Sequence, residues 1–173
     1  MRIIPVLFAL QLCSHWLTPY AAASEVLAVQ SSDDLQAKIK KTGAKVVLFN
    51  VWGITCSPCL AEMPVLTRIY NQFKDNKNVS ILGLCILDEK MDQKAAVSAT
   101  TTVVHKKQLE YCNFVWMGRS EALLEKYPMQ GTPYNALLKP DGSVTKEIDR
   151  LPKDPEKAFE FLVNEINAAL KTP

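Results

Sequence analysis

Residues 46–59 read Val46-Val47-Leu48-Phe49-Asn50-Val51-Trp52-Gly53-Ile54-Thr55-Cys56-Ser57-Pro58-Cys59, and this stretch decides the fold. Its first seven residues are apolar except Asn50, as in a strand covered on both faces, so helices are expected above and below a sheet. From about Ser57 to Asp75 the pattern turns helical, with Leu60, Met63, Leu66, Tyr70 and Phe73 along one side. Pro64 falls inside that helix, where it should produce a kink. A buried strand running directly into a helix puts Cys56 at the helix N-terminus. There the unpaired N–H groups and the helix dipole favour a thiolate. A Cys-x-x-Cys thiol so placed can titrate near neutral pH, well below the ~8.5 of a free cysteine. Cys59 lies one turn deeper, within bonding reach of Cys56 and more shielded. The chemistry this arrangement suits is thiol–disulfide exchange, with Cys56 as the attacking nucleophile and Cys59 as the resolving thiol.

Two plainer readings of the pair are a structural disulfide and half of a zinc site. Zinc requires two further ligands, and neither a second Cys-x-x-Cys nor a His-x₃₋₅-His is present. Cys85, Cys112 and His105 stand at unrelated spacings. Neither a metal nor a cofactor is therefore expected.

The start of the chain bears on the compartment. Arg2, the apolar run Ile3 to Leu10 and the Ala21-Ala22-Ala23 segment have the layout of a secretory signal peptide cleaved after about Ala23. Gln11, Ser14 and His15 interrupt the run well short of the ~20 apolar residues of a membrane span. The expected division is a signal peptide over residues 1–23 and one domain over residues 24–173, periplasmic or otherwise exported. Cys13 leaves with the leader, and Cys56, Cys59, Cys85 and Cys112 remain, an even number in an oxidising compartment. The apolar fraction of 48% excludes disorder. Lys and Arg total 20 against 18 Asp and Glu, which leaves no strong field for nucleic acid.

Further along, strands and helices alternate without repeats. Ser31 to Asp34 opens a short helix over Leu35–Lys41 that ends near Gly43. Residues 79–87 form a second buried strand, and Asp92 to about Tyr111 a helix weakened by the β-branched run Thr100 to Val104. Phe114-Val115-Trp116 is a candidate short strand, and Glu121 to Tyr127 a short helix. Tyr134–Leu138 and Val144–Ile148, joined by Pro140-Asp141-Gly142, read as a hairpin. Asp154 followed by Pro155 opens a last helix carrying Phe159, Leu162, Val163, Ile166 and Leu170. These elements sum to an α/β domain with a mixed central sheet and helices on both faces.

Three blocks carry a more specific likeness. Asn50-Val51-Trp52, the Cys56–Cys59 pair and Leu60-Ala61-Glu62-Met63-Pro64-Val65-Leu66 resemble the active-site strand and helix of exported thioredoxin-like proteins of the TlpA/ResA/CcmG type. Gly131-Thr132-Pro133 resembles their cis-proline loop, and Pro140-Asp141-Gly142 their hairpin turn. The resemblance runs from about Val46 to Leu170 and is weakest from Glu89 to Arg119. It implies a thioredoxin fold with a modest insert before the cis-proline loop, and thiol:disulfide oxidoreductase activity. It also implies a cis Pro133 facing the sulfurs, with Thr132 and Tyr134 near the substrate peptide. Glu62, on residue chemistry alone a solvated helix glutamate, becomes an acid that tunes the thiols and moves protons. Asn50 stands where many thioredoxins carry a buried acid, which strengthens Glu62 as the candidate. Trp52 either shields the site and touches substrate or is a core tryptophan. Thr55 replaces the tryptophan that many relatives place before the first cysteine. Cys85 and Cys112 either form a second disulfide or are two buried free thiols.

The Ser57-Pro58 dipeptide resembles that of reducing members, so the expected direction is reduction of substrate protein disulfides. The implied partners are a membrane electron donor and, as substrates, apocytochrome c thiols (as in cytochrome c biogenesis), a copper-site protein or another oxidoreductase. The rival readings are an oxidase or isomerase on the same fold, and a copper-handling module that uses the thiols as soft ligands. The Pro-x₃-Thr-x₂-Cys arrangement of thioredoxin-related peroxidases does not lead into Cys56.

Overall fold

The structure, a computed structural model, describes residues 25–87 and 90–172. The leader expected over residues 1–23 lies outside the described residues. Among the described residues, no helix is long and apolar enough to cross a membrane.

Eleven elements follow one another: β1 (Leu27–Val29), α1 (Ser32–Lys41), β2 (Val46–Trp52), α2 (Ser57–Phe73), β3 (Val79–Cys85), α3 (Gln93–Lys106), β4 (Cys112–Trp116), α4 (Ser120–Lys126), β5 (Tyr134–Leu138), β6 (Val144–Ile148) and α5 (Pro155–Lys171). They build a six-stranded sheet in the order β1-β4-β3-β2-β5-β6. β1, β4, β3 and β2 run parallel, while β5 is antiparallel to both β2 and β6. This is the mixed sheet expected, and β2 sits at its centre because all seven of its residues are buried.

The alternation of side chains along each strand sorts the core into two layers. On one face Leu48, Ile81, Val115 and Leu137 meet Met63, Leu66 and Ile69 of α2 and Leu162 and Ile166 of α5. On the other, Val47, Phe49, Val51, Leu84 and Phe114 meet Leu35 and Ile39 of α1 and Leu123 of α4. The helix starts are capped as their sequences foretell. Ser31 accepts from the Asp34 amide at 3.2 Å, Asp92 from Ala95 at 3.0 Å and Asp154 from Lys157 at 2.9 Å. The hairpin turn places Gly142 at φ +79°, a conformation glycine adopts without a Cβ clash.

Three differences from the sequence reading have identifiable causes. β1 is new: three residues are too few to show a period, and Leu27–Val29 is recruited by pairing with the open edge of β4. β3 stops at Cys85 rather than residue 87 because its partner ends there. Trp52 is opposite Cys85, and the Ile86 amide donates to the Trp52 carbonyl at 2.8 Å. α3 ends at Lys106, not near Tyr111, since Gln108 adopts φ +53° and turns the chain so that Tyr111 is fully buried. α2 runs as one helical segment through Pro64.

Candidate active site

Cys56 is the N-cap of α2, with β-region backbone angles, and its Sγ lies 3.2 Å from the Cys59 amide, which donates to it. The local sequence enforces this. The Cys56 amide donates back to the Gly53 carbonyl at 3.1 Å, and Pro58 sits in the first helical turn, where it has no amide to waste. The two cysteines are joined as a disulfide across 5.2 Å between Cα atoms, within the span a disulfide bridges. Their exposures differ: Cys56 is half-buried, while Cys59 is 1% exposed. An incoming thiol therefore meets Cys56 first, and the freed thiol of Cys59 stays within the protein. Thr55, Ser57 and Pro58 around the bridge are exposed.

Beside the pair runs a groove of about 1070 Å³ between the start of α2, the loop before β5 and the loop from β6 to α5. Pro58, Glu62, Pro133, Tyr134, Arg150 and Pro152 are among its walls. The Thr132–Pro133 bond is cis, as the resemblance implied, and both residues are half-buried. Tyr134 is 8% exposed, and its hydroxyl lies 3.5 Å from Glu147 Oε1. Burial and the adjacent Glu147 carboxylate push the tyrosine pKa up, so its hydroxyl stays protonated.

Glu62 is not a solvated helix residue. It is half-buried, and its Oε2 accepts from Asn135 Nδ2 at 3.0 Å. Burial raises its carboxyl above the ordinary glutamate range, and the Asn135 hydrogen bond partly offsets the rise. Trp52 takes the core alternative. It is fully buried among α2-face residues and does not line the groove.

The second disulfide does not form: Cys85 and Cys112 are both free. The register explains it. Cys112 is opposite Leu82 and Cys85 opposite Val115, so the two are three positions apart along the ladder, roughly 10 Å at the strand rise. An odd offset also sends their side chains to opposite faces of the sheet. Nor are both buried: Cys85 is, with burial pushing its thiol up to about 12, whereas Cys112 is exposed.

Sequence reading passed over Asn135. The available signal was a polar residue inside a strand whose five residues are all buried, together with Asn50 in the equally buried β2.

The Redoxin family model matches residues 22–161. The thiol-disulfide oxidoreductase ResA of Bacillus thuringiensis (strain Al Hakam) is 28% identical over 118 residues, covering 66% of this chain and 62% of that protein. The chain thus spans about three fifths of the length of that relative. Among solved structures, the thioredoxin domain of a thiol-disulfide oxidoreductase from Bacteroides vulgatus aligns with a TM-score of 0.56 at 21% identity, over 73% of this chain and 83% of that one. A thiol-disulfide oxidoreductase from Bacteroides fragilis NCTC 9343 aligns at 0.54 and 24% identity, over 70% and 81%. These structural likenesses establish the thioredoxin-like fold. With its match over most of its length, the chain belongs to the Redoxin family.

Proposed function

We propose that the protein is an exported thiol–disulfide oxidoreductase that reduces disulfides in substrate proteins through a Cys56/Cys59 dithiol–disulfide cycle. The observation that carries this reading is the disulfide at the N-cap of α2, with one sulfur half-buried and the other enclosed.

In the reduced protein the Cys56 thiolate attacks one sulfur of a substrate disulfide. The Cys56–substrate bond forms, the substrate S–S bond breaks, and the departing thiolate takes up a proton. Cys59 then loses its proton and attacks Cys56 Sγ, restoring the intramolecular bond and releasing the second substrate thiol. Two electrons pass to the substrate, and the protein is left in the oxidised state seen here. In this reading Glu62, which borders the groove, is the acid that exchanges protons with the pair. A dithiol donor at the membrane closes the cycle by the reverse exchange. The cis-proline loop and groove receive an extended peptide chain around the substrate cysteine. Apocytochrome c thiols, a copper-site protein or another oxidoreductase are the candidate substrates, as the family resemblance implies.

Trapping tests the roles. A Cys59→Ala variant stalls the mixed disulfide on Cys56 and accumulates covalent partners, whereas Cys56→Ala does not. Equal trapping by both variants refutes the assignment. Equilibration with a glutathione buffer tests the direction. A reductase poises nearer to thioredoxin, about −270 mV, than to a strong exported oxidant, about −120 mV. A value at the oxidant end overturns the reductase reading while leaving thiol–disulfide exchange intact.

A further inference from the structure

Strand register sets a polar row across the α2 face of the sheet. Asn135 on β5 is opposite Asn50 on β2, Asn50 is opposite Gly83 on β3, and Gly83 is opposite Asn113 on β4. The three asparagines are each at most 1% exposed. A buried amide is costly unless its hydrogen bonds are made. Asn113 donates within its own segment, to the Tyr111 carbonyl at 2.8 Å. Asn50 and Asn135 instead link toward α2. Asn50 Nδ2 donates to Asn135 Oδ1 at 2.9 Å, and Asn135 Nδ2 donates to Glu62 Oε2 at 3.0 Å. The direction of this chain follows from chemistry, because an ionised carboxylate only accepts. With Glu62 ionised, Asn135 turns its NH₂ to Glu62 and its oxygen to Asn50.

We propose that Asn135, oriented by Asn50, is a positioning residue for the redox centre, holding the Glu62 carboxylate by one oxygen and leaving the other to exchange a proton with the cysteine pair. This deepens the function proposed above and rests on its reading of Glu62. Burial favours the neutral acid at Glu62, and the Asn135 donor opposes that by favouring the carboxylate. The amide thus limits how far burial lifts the acid. Other groups facing this position are few. Cys56 caps α2 and Cys59 lies in its first turn, while Tyr134 at the start of β5 and Glu147 near the end of β6 line the same groove. Asp149, Arg150 and Lys153 line the groove from the β6–α5 loop, one carboxylate against two cations. Glu156 of α5 is occupied by Arg68, with both guanidinium contacts at 2.8 Å.

The test has two readings on the full chain. In the oxidised protein, the Glu62 side-chain carboxyl is followed by carbon-detected NMR across pH. Asn135→Ala raises its midpoint by about one pH unit, the size of one hydrogen bond to a charged group. In the reduced protein, the pH profile of Cys56 alkylation by iodoacetamide shows the Glu62 inflection moving up in the same variant. On a Glu62→Gln background, Asn135→Ala leaves the profile where it is. Asn50→Val, which keeps the apolar bulk of a buried strand residue, gives a smaller shift in the same sense and serves if Asn135→Ala does not fold. An unmoved Glu62 midpoint in both asparagine variants overturns the inference. So does a profile that moves equally with and without the glutamate. If Glu62→Gln itself leaves the alkylation profile unchanged, the acid reading of Glu62 falls and the inference with it. If Glu62→Gln moves the profile and Asn135→Ala does not, the inference alone falls.

Discussion

Gly83 lies in β3 between two strands, opposite Asn50 and Asn113, with no room for a side chain. A Cβ added there would overlap Asn113 Oδ1, and would stand 3.1 Å from Asn113 Cγ and 3.2 Å from Trp52 Nε1. Both neighbours are fully buried, and Asn113 is tied to the Tyr111 carbonyl at 2.8 Å. For Gly83→Ala to fit, the asparagine has to leave that bond. Leaving a buried amide unpaired costs about 1–3 kcal/mol, and forcing a methyl into a packed core about 1–3 kcal/mol more. The lower entropy of alanine in the unfolded chain returns only about 0.4–1 kcal/mol. The central expectation is a net loss of about 3 kcal/mol, which at this size lowers the melting temperature by about 6–12 °C. Urea unfolding of the oxidised protein measures it, with the slope checked for constancy. The decisive comparison is a double-mutant cycle with Asn113→Ala. Once the amide is gone, the added methyl has space and the cost of Gly83→Ala falls below about 1 kcal/mol. A single variant within about 0.5 kcal/mol of the parent, or an equal loss on both backgrounds, refutes the steric reasoning.

Two further outcomes follow from the titrating groups. Glu62 has a folded-state pKa raised above the ordinary 4.5, so the folded protein holds that proton more tightly than the unfolded chain. Its burial is harmless below that ordinary value and becomes destabilising as pH rises through the window up to the raised one. Glu62→Gln should therefore be more stable than the parent at neutral pH, with the difference vanishing in acid; pH-dependent urea melts showing the opposite slope would refute this. Peptide-mapped alkylation of the native oxidised protein should label Cys112 before Cys85, whose thiol is buried and pushed up to about 12. Modification of Cys85 without unfolding would contradict the packing.

The redox pair was legible because its geometry is local. A buried strand, a tight turn and a helix N-terminus follow one another over residues 46–59, so the N-cap position of Cys56 and the one-turn spacing to Cys59 need nothing from the rest of the chain. The hairpin and the last helix were legible for the same reason, through Gly142 and the Asp154–Pro155 cap. The cis Pro133 came from family resemblance, since an X-Pro dipeptide carries no sign of its isomer.

Other features depend on which strands become neighbours. Cys85 and Cys112 look like a second pair beside Cys56 and Cys59, yet the parallel register of β3 and β4 offsets them and turns them to opposite faces. β1 exists only because β4 offers it an edge. Glu62 and Asn135 are 73 positions apart and meet because β5 runs antiparallel to β2 beneath α2. The position of the two bonded sulfurs could be read from the chain alone, because it rests on contacts three residues apart at one helix start. Which polar side chains reach the groove and which stay sealed beneath it depends on sheet register, a long-range property that a one-residue slip would invert.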